Sequence, residues 1–133
     1  MNNKKIGSSF EQALSETLSK YGFWCHLLNA NKAGQPADII AVKNDKAYLI
    51  DAKVCKNGSF PLSRVEENQD LAMDLWRERG NGMGWFALEV GNKVYMVCHY
   101  VIKAYKNTNH KSLSAQDIFD IGIPLEKWVK KCR

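Results

Sequence analysis

Apolar positions recur along this chain with two different periods, and the alternation between them sets out the elements. In "SSFEQALSETLSKYG" they fall at Phe10, Leu14, Leu18 and Tyr21, spaced by three and four so that they form one stripe of a helix, with Gly22 as its stop. "FWCHLLN" follows as a first strand, and "ANKAGQP" as a polar loop containing Gly and Pro. "PADIIAVKNDKAYLIDAKV", from Pro36 to Val54, reads as two apolar strands around a short turn at Asn44-Asp45. "CKNGSFPLS" is a loop, and "RVEENQDLAMDLWRERG" a second helix begun from Ser63. "GWFALEV" and "KVYMVCHY" make a further hairpin that turns at Gly91-Asn92. Beyond it, "VIKAYKN" is a short helix, "SAQDIFDIG" a helix capped by Ser114, and "IPLEKWVKKC" a terminal helix begun by Pro124. A helix between the third and fourth strands demands a crossover, and hence a mixed central sheet flanked by helices in an α/β domain.

The turn also sets the register of the hairpin. With the loop at Asn44-Asp45, Lys43 opposes Lys46, and the same register carries Asp38 directly across from Asp51. Opposed side chains share a face with Cβ atoms about 4.5–5.5 Å apart, and Lys53, two residues on, projects from that face as well. Ile40, Val42 and Leu49 occupy one side of these strands, and Ile39, Ala41 and Ile50 the other. The hairpin is therefore expected to be central and covered on both sides, with a charged corner where it ends. Like charges so placed repel by up to ~1 kcal/mol, and a divalent cation between them turns the repulsion into a binding site. Oxygen-only ligands favour a hard ion, Mg²⁺ or Mn²⁺. Plainer roles are open to the same residues, with Asp38 capping a turn after Pro36 and Asp51 simply paired with Lys53.

At 133 residues, 45% hydrophobic and 25% charged, the chain is one folded domain without room for a second. Its net charge of +5 leans toward an anionic partner, of which nucleic acid is the commonest. The cysteines Cys25, Cys55, Cys98 and Cys132 are scattered without a CxxC pair, which suggests reduced thiols and a cytoplasmic protein. No apolar stretch resembles a signal peptide or a membrane span. Residues 1–6, with Lys4 and Lys5, are expected as a mobile basic arm, and residues 101–133 as a helical C-terminal extension.

Five stretches in order, "GSSFEQAL", "QPADII", "LIDAKV" with its Asp-x-Lys, "KNGSFPLSRVEENQ" and the strand pair after it, resemble the PD-(D/E)xK nuclease superfamily. Within it, they are most similar to the RecU-like and the phage or archaeal Holliday junction resolvases. The resemblance, from Gly7 to Val97, implies a restriction-endonuclease-like core and Mg²⁺-dependent hydrolysis of DNA phosphodiesters, with Mn²⁺ able to substitute, in a bacterial or phage-infected cell. It implies Asp38 and Asp51 as metal ligands and Lys53 as the catalytic lysine that holds or helps deprotonate the attacking water. Glu11 matches the first-helix glutamate that reaches the metal, and Gln69 the glutamine near the scissile phosphate.

Two of these residues have alternatives. Ser8-Ser9-Phe10-Glu11 fits a capping box, in which Glu11 would bond only the Ser8 amide, and Ser63 to Glu66 repeats the pattern. Gln69 lies on the stripe Val65, Gln69, Ala72 and Trp76, which should enter the core, where a polar amide needs a partner. The active-site edge or nearby backbone would supply it. Lys32 and Gln35 before Asp38, and Lys56 and Arg64 after Lys53, would line the mouth and contact phosphates, with Lys4 and Lys5 extending the footprint. Junction cleavage takes two symmetric nicks, so a homodimer is implied; Trp85, Phe119 and Trp128 are candidate contacts, though core packing is the stronger expectation for each. The competing functions are another restriction or repair nuclease of the same fold, and a catalytically silent DNA-binding module.

Overall fold

Both sides of the central hairpin are apolar, and helices cover both. The computed structural model describes residues 3–28 and 36–132, with side chains from Ser9 onward. In chain order the elements are α1 (Asn3–Lys20), β1 (Trp24–Leu27), β2 (Ile39–Lys43), β3 (Lys46–Val54), β4 (Phe60–Pro61), α2 (Glu67–Glu78), β5 (Trp85–Val90) and β6 (Lys93–Cys98). They continue with α3 (His99–Asn107), β7 (Ser112–Leu113), α4 (Ala115–Ile121), β8 (Ile123–Pro124) and α5 (Leu125–Lys131). The main sheet has the order β1-β2-β3-β5-β6-β8. Its β3–β5 pair is parallel because α2 makes the crossover, and its other pairs are antiparallel. The mixed α/β sheet expected from the pattern is present.

Asn44 and Asp45 both adopt positive φ, 52° and 67°, which closes a tight two-residue turn whose twist suits the flanking strands. The pairs Lys43↔Lys46, Ile40↔Leu49 and Ile39↔Ile50 follow, in the register read from the turn. One face packs Phe10, Leu14 and Leu18 of α1 against Ile39, Ala41 and Ile50. The other packs Leu49, Phe86 and Leu88 against Met73 of α2, Ile102 of α3 and Ile118 of α4. Gly84 lets α2 come close, since a Cβ there would meet Met73 Cγ at 2.5 Å.

Three features differ from expectation. α1 begins at Asn3, so residues 3–6, expected as a loose arm, are its first turn. Ser8 therefore sits inside the helix, where it is no N-cap for Glu11. α2 starts at Glu67 rather than Ser63, after a single 3-10 turn at Leu62–Arg64; Glu66 stays extended and its N–H bonds Gln69 Oε1 at 3.4 Å. Finally, the C-terminal segment expected as a helical extension is built into the core. β8 adds a sixth strand beside β6, β7 pairs with β4, and Trp128 of α5 is buried among Phe23, Tyr48 and Trp85 at ring distances of 5.2–5.8 Å.

Candidate active site

The charged corner forms where β2 begins and β3 passes its middle. Asp38 precedes β2 by one residue, and its N–H donates to the Ile50 carbonyl (3.0 Å), extending the ladder so that Asp38 opposes Asp51. The Ala52 N–H in turn donates to Asp38 Oδ2 at 2.8 Å. That bond locks the carboxylate against the neighbouring strand. Asp38 is 6% exposed and Asp51 is fully buried. Such burial of charge is costly unless other groups compensate it.

Compensation for Asp51 comes from two sides. Gln69, on the first turn of α2, donates its Nε2 to Asp51 Oδ1 at 2.9 Å, while its Oε1 accepts from the Glu66 backbone. Both candidate partners of the buried amide are thus engaged at once. Lys53 Nζ lies 3.1 Å from Asp51 Oδ2, yet off the hydrogen-bonding direction, since Oδ2 has no hydrogen-bond partner among the described atoms. A buried carboxylate oxygen with an ammonium beside it and an unused lone pair is suited to an electrophile.

Glu11 reaches this corner from α1. The Glu11 carboxyl lies close enough to Asp38 to be raised by it, and Asp38 acts on Asp51 in the same way. Carboxyls so placed must share protons or a cation. The Glu11 carboxyl is pushed up to about 7, first by burial, then by the Asp38 charge and hydrogen bond, with Lys53 opposing. Burial likewise raises Asp51 well above the ordinary carboxylate range, reinforced by the Asp38 charge and opposed by Lys53. Among the described residues no group of three or more His, Cys, Asp or Glu side chains is placed to hold a metal ion. The orphaned Asp51 Oδ2 and the oxygen donors of Asp38 and Asp51 nevertheless suit a hard divalent cation.

The corner therefore brings together Asp38, Asp51, Lys53, Glu11 and Gln69. The basic residues divide differently. Lys32, Gln35 and the side chains of Lys4 and Lys5 lie outside the described residues. Lys56 is exposed in the loop after β3. Arg64 braces that loop: its Nη1 donates to the Val54 carbonyl (2.8 Å) and its guanidinium lies 5.7 Å from the Phe60 ring centre. One of its five donors is used in this way.

A polar cluster behind α2 had no place in the sequence-based expectations. His99, 3% exposed, meets Asp70 at 2.5 Å and Asp74 at 3.8 Å, and Lys103 pairs with Asp74 at 2.8 Å. Asp70 and Asp74 stand one turn apart on α2, as His99 and Lys103 do on α3, so matched i, i+4 charges on two helices were the available signal.

Comparison with known proteins fits this geometry. The 1.6 Å structure of Archaeoglobus fulgidus Hjc, a Holliday junction resolvase from an archaeal hyperthermophile, superposes with a TM-score of 0.72 at 17% identity, covering 92% of this chain and 99% of that one. At that identity the likeness concerns the fold. No curated protein matches the chain by sequence. The family model of the archaeal Holliday junction resolvases (Hjc) matches residues 2–133. A match running from α1 through α5, over a mixed sheet with paired carboxylates and a lysine at one corner, means that the chain belongs to the archaeal Holliday junction resolvase family and is a junction-resolving endonuclease.

Proposed function

We propose that the chain cuts four-way DNA junctions by divalent-metal-dependent hydrolysis at the Asp38–Asp51–Lys53 corner, acting as a homodimer that nicks two strands symmetrically. The observation that carries the assignment is Asp51, fully buried, held by Gln69 through one oxygen, with the other ion-paired to Lys53 but without a hydrogen bond. Mg²⁺ or Mn²⁺, when bound by Asp38, Asp51 and Glu11, supplies Lewis acidity for activating water and positive charge at the phosphoryl centre. Every other contribution comes from the chain itself. Gln69 orients Asp51 from the protein side. The Ala52 amide orients Asp38. Lys53 holds the attacking water and stabilises negative charge as it develops on the phosphoryl oxygens. Burial and the Asp38 charge raise the Glu11 carboxyl in the metal-free chain, and a cation beside it would hold it ionised as a ligand.

The net charge of +5 favours association with DNA, with Lys56, Arg64, Lys32, Gln35, Lys4 and Lys5 proposed as phosphate contacts. All four cysteines are free thiols, consistent with the reducing compartment in which cellular DNA lies. Among the described residues no helix is long and apolar enough to cross a membrane. For the dimer, Trp128 is unavailable because it is buried in the core, Trp85 is partly buried against that core, and Phe119 leans on Tyr95 with ring centres 5.2 Å apart. Leu71 and Leu75, one turn apart on the outer face of α2 and 59% and 49% exposed, support α2 as the contact instead.

The test is cleavage of a labelled four-way junction beside linear duplex of the same arms, in Mg²⁺, Ca²⁺ and EDTA, for wild type and Asp51→Asn. Paired symmetric nicks on the junction alone, dependent on Mg²⁺ and lost in the variant, are expected. Cutting of linear duplex as well would favour a different nuclease. Junction binding in EDTA without any cutting would leave a silent binding module.

A further inference from the structure

The edge strand β1 carries two aromatic rings that the proposed chemistry does not use. Its residues alternate, with Cys25 and Leu27 packed against the core on one side and Trp24 and His26 exposed on the other. Trp24 is 63% exposed, more than any other large apolar side chain among the described residues. Its ring lies nearly parallel to that of His26, 7° between planes and 6.1 Å between centres. Leaving so large an apolar ring in water gives up burial that a core position would have used.

The register places these rings on the active-site face. Trp24 opposes Val42 and His26 opposes Ile40, while Ile40 opposes Leu49. Opposed residues share a face, as do residues two apart on one strand. Trp24 and His26 therefore rise from the same face as Asp38, Asp51 and Lys53. Leu28 joins the two groups, since its N–H donates to the Asp38 carbonyl at 2.8 Å. By strand spacing and rise, the Trp24 position lies on the order of 15 Å from the Asp38 carboxylate. That is about four base steps of duplex.

No acidic side chain of β1 or β2 shares this face beyond the Asp38 end, and no lysine or arginine does either: Lys43 turns to the other side, over the Phe23 ring. An uncharged, flat surface suits the face of a base rather than a phosphate. When a four-way junction is opened, it differs from linear duplex in having bases at its branch point without a stacking neighbour across the branch. We propose that Trp24, backed by His26, is a stacking platform for a nucleobase at the branch, so that the enzyme recognises the open centre of its substrate through this edge. This inference rests on the junction-cleaving function above and adds a base-contacting surface to it.

The test reads binding without cleavage. Wild type, Trp24→Ala, Trp24→Phe and His26→Ala would be titrated in Ca²⁺ against a four-way junction carrying 2-aminopurine beside the branch, and against linear duplex, with thermal melting as a check on folding. Trp24→Ala is expected to bind the junction about tenfold more weakly, with duplex affinity unchanged. The 2-aminopurine signal on binding should be largely lost in that variant and largely kept in Trp24→Phe. Equal affinity of wild type and Trp24→Ala for the junction would overturn the platform. So would an equal loss on junction and duplex, or conversion of Trp24→Ala to a different oligomeric state, which would make the ring a protein contact. Failure of wild type to cut the junction in Mg²⁺ would strike the proposed active site instead, because the platform is measured without cutting.

Discussion

Two carboxyls that each feel Asp38, those of Glu11 and Asp51, make the corner sensitive to protons and to cations, and Glu11 is the residue that reports it. Its folded value of about 7 lies above the ordinary 4.5, and Asp51 is raised as well. Between those limits the folded chain holds protons that the unfolded chain has released, so stability falls as pH rises. In EDTA the melting temperature should therefore decline from about pH 5 to about pH 7.5, and Glu11→Gln should flatten the decline. Mg²⁺ should restore stability most at the alkaline end, where the carboxylates are free to bind it. Melting profiles with and without Mg²⁺ check this, and a flat EDTA profile in wild type would contradict it. At this scale much was legible in advance. The opposition of Asp38 and Asp51 followed from the place of one turn, because a two-residue loop leaves no freedom in register. The role of Glu11 was harder to read, since "SSFE" carries the same letters whether Ser8 caps a helix or lies within one. Only the start of α1 at Asn3 decides between them.

Element by element, α2 matters most, because it carries Gln69 to Asp51 on one side and is clamped on the other. The clamp is His99, whose ring meets Asp70, the residue next to Gln69, while Asp74 is shared with Lys103. The Asp74 carboxyl is held below its usual range, first by the hydrogen bond from Lys103. Replacing His99 with leucine would fill the space but leave Asp70 without its partner, at a cost of about 2 kcal/mol. Denaturant titration of His99→Leu should show that loss. If α2 shifts in consequence, Mg²⁺-stimulated cutting should fall further than stability alone requires. An unchanged midpoint would mean that the cluster contributes nothing to folding. The elements that sequence missed are β4, β7 and β8, each of two residues. Strands so short have no period to detect, and they exist because a long-range neighbour offers them a ladder. Likewise, the terminal helix was visible from Pro124 onward. That Trp128 plugs the core beneath Phe23 and Tyr48 depends on tertiary packing that no local pattern carries.

For the whole molecule, the sequence pattern conveyed the mixed sheet, the crossover and the basic character, but not which helix face would stay uncovered. α2 has two apolar stripes: Met73, Trp76 and the buried Gln69 turn inward, and Leu71 and Leu75 turn outward. Composition cannot say which one the fold covers, since either would suit a helix lying on a sheet. Two exposed leucines one turn apart, on the helix that also positions Gln69, would give the proposed dimer a contact that couples assembly to catalysis. Leu71→Glu combined with Leu75→Glu would place two charges in that contact. Because both side chains are exposed in the monomer, its melting temperature should change little. Its association should weaken by about 2 kcal/mol for each leucine whose burial is lost. Sedimentation at micromolar concentration should then report a dimer for wild type and a monomer for the double variant. Junction cleavage should lose its pairing, with single nicks replacing symmetric ones. A double variant that still sediments as a dimer would move the interface to another surface, whereas a wild type that is monomeric while cutting symmetrically would require two separate encounters for each junction.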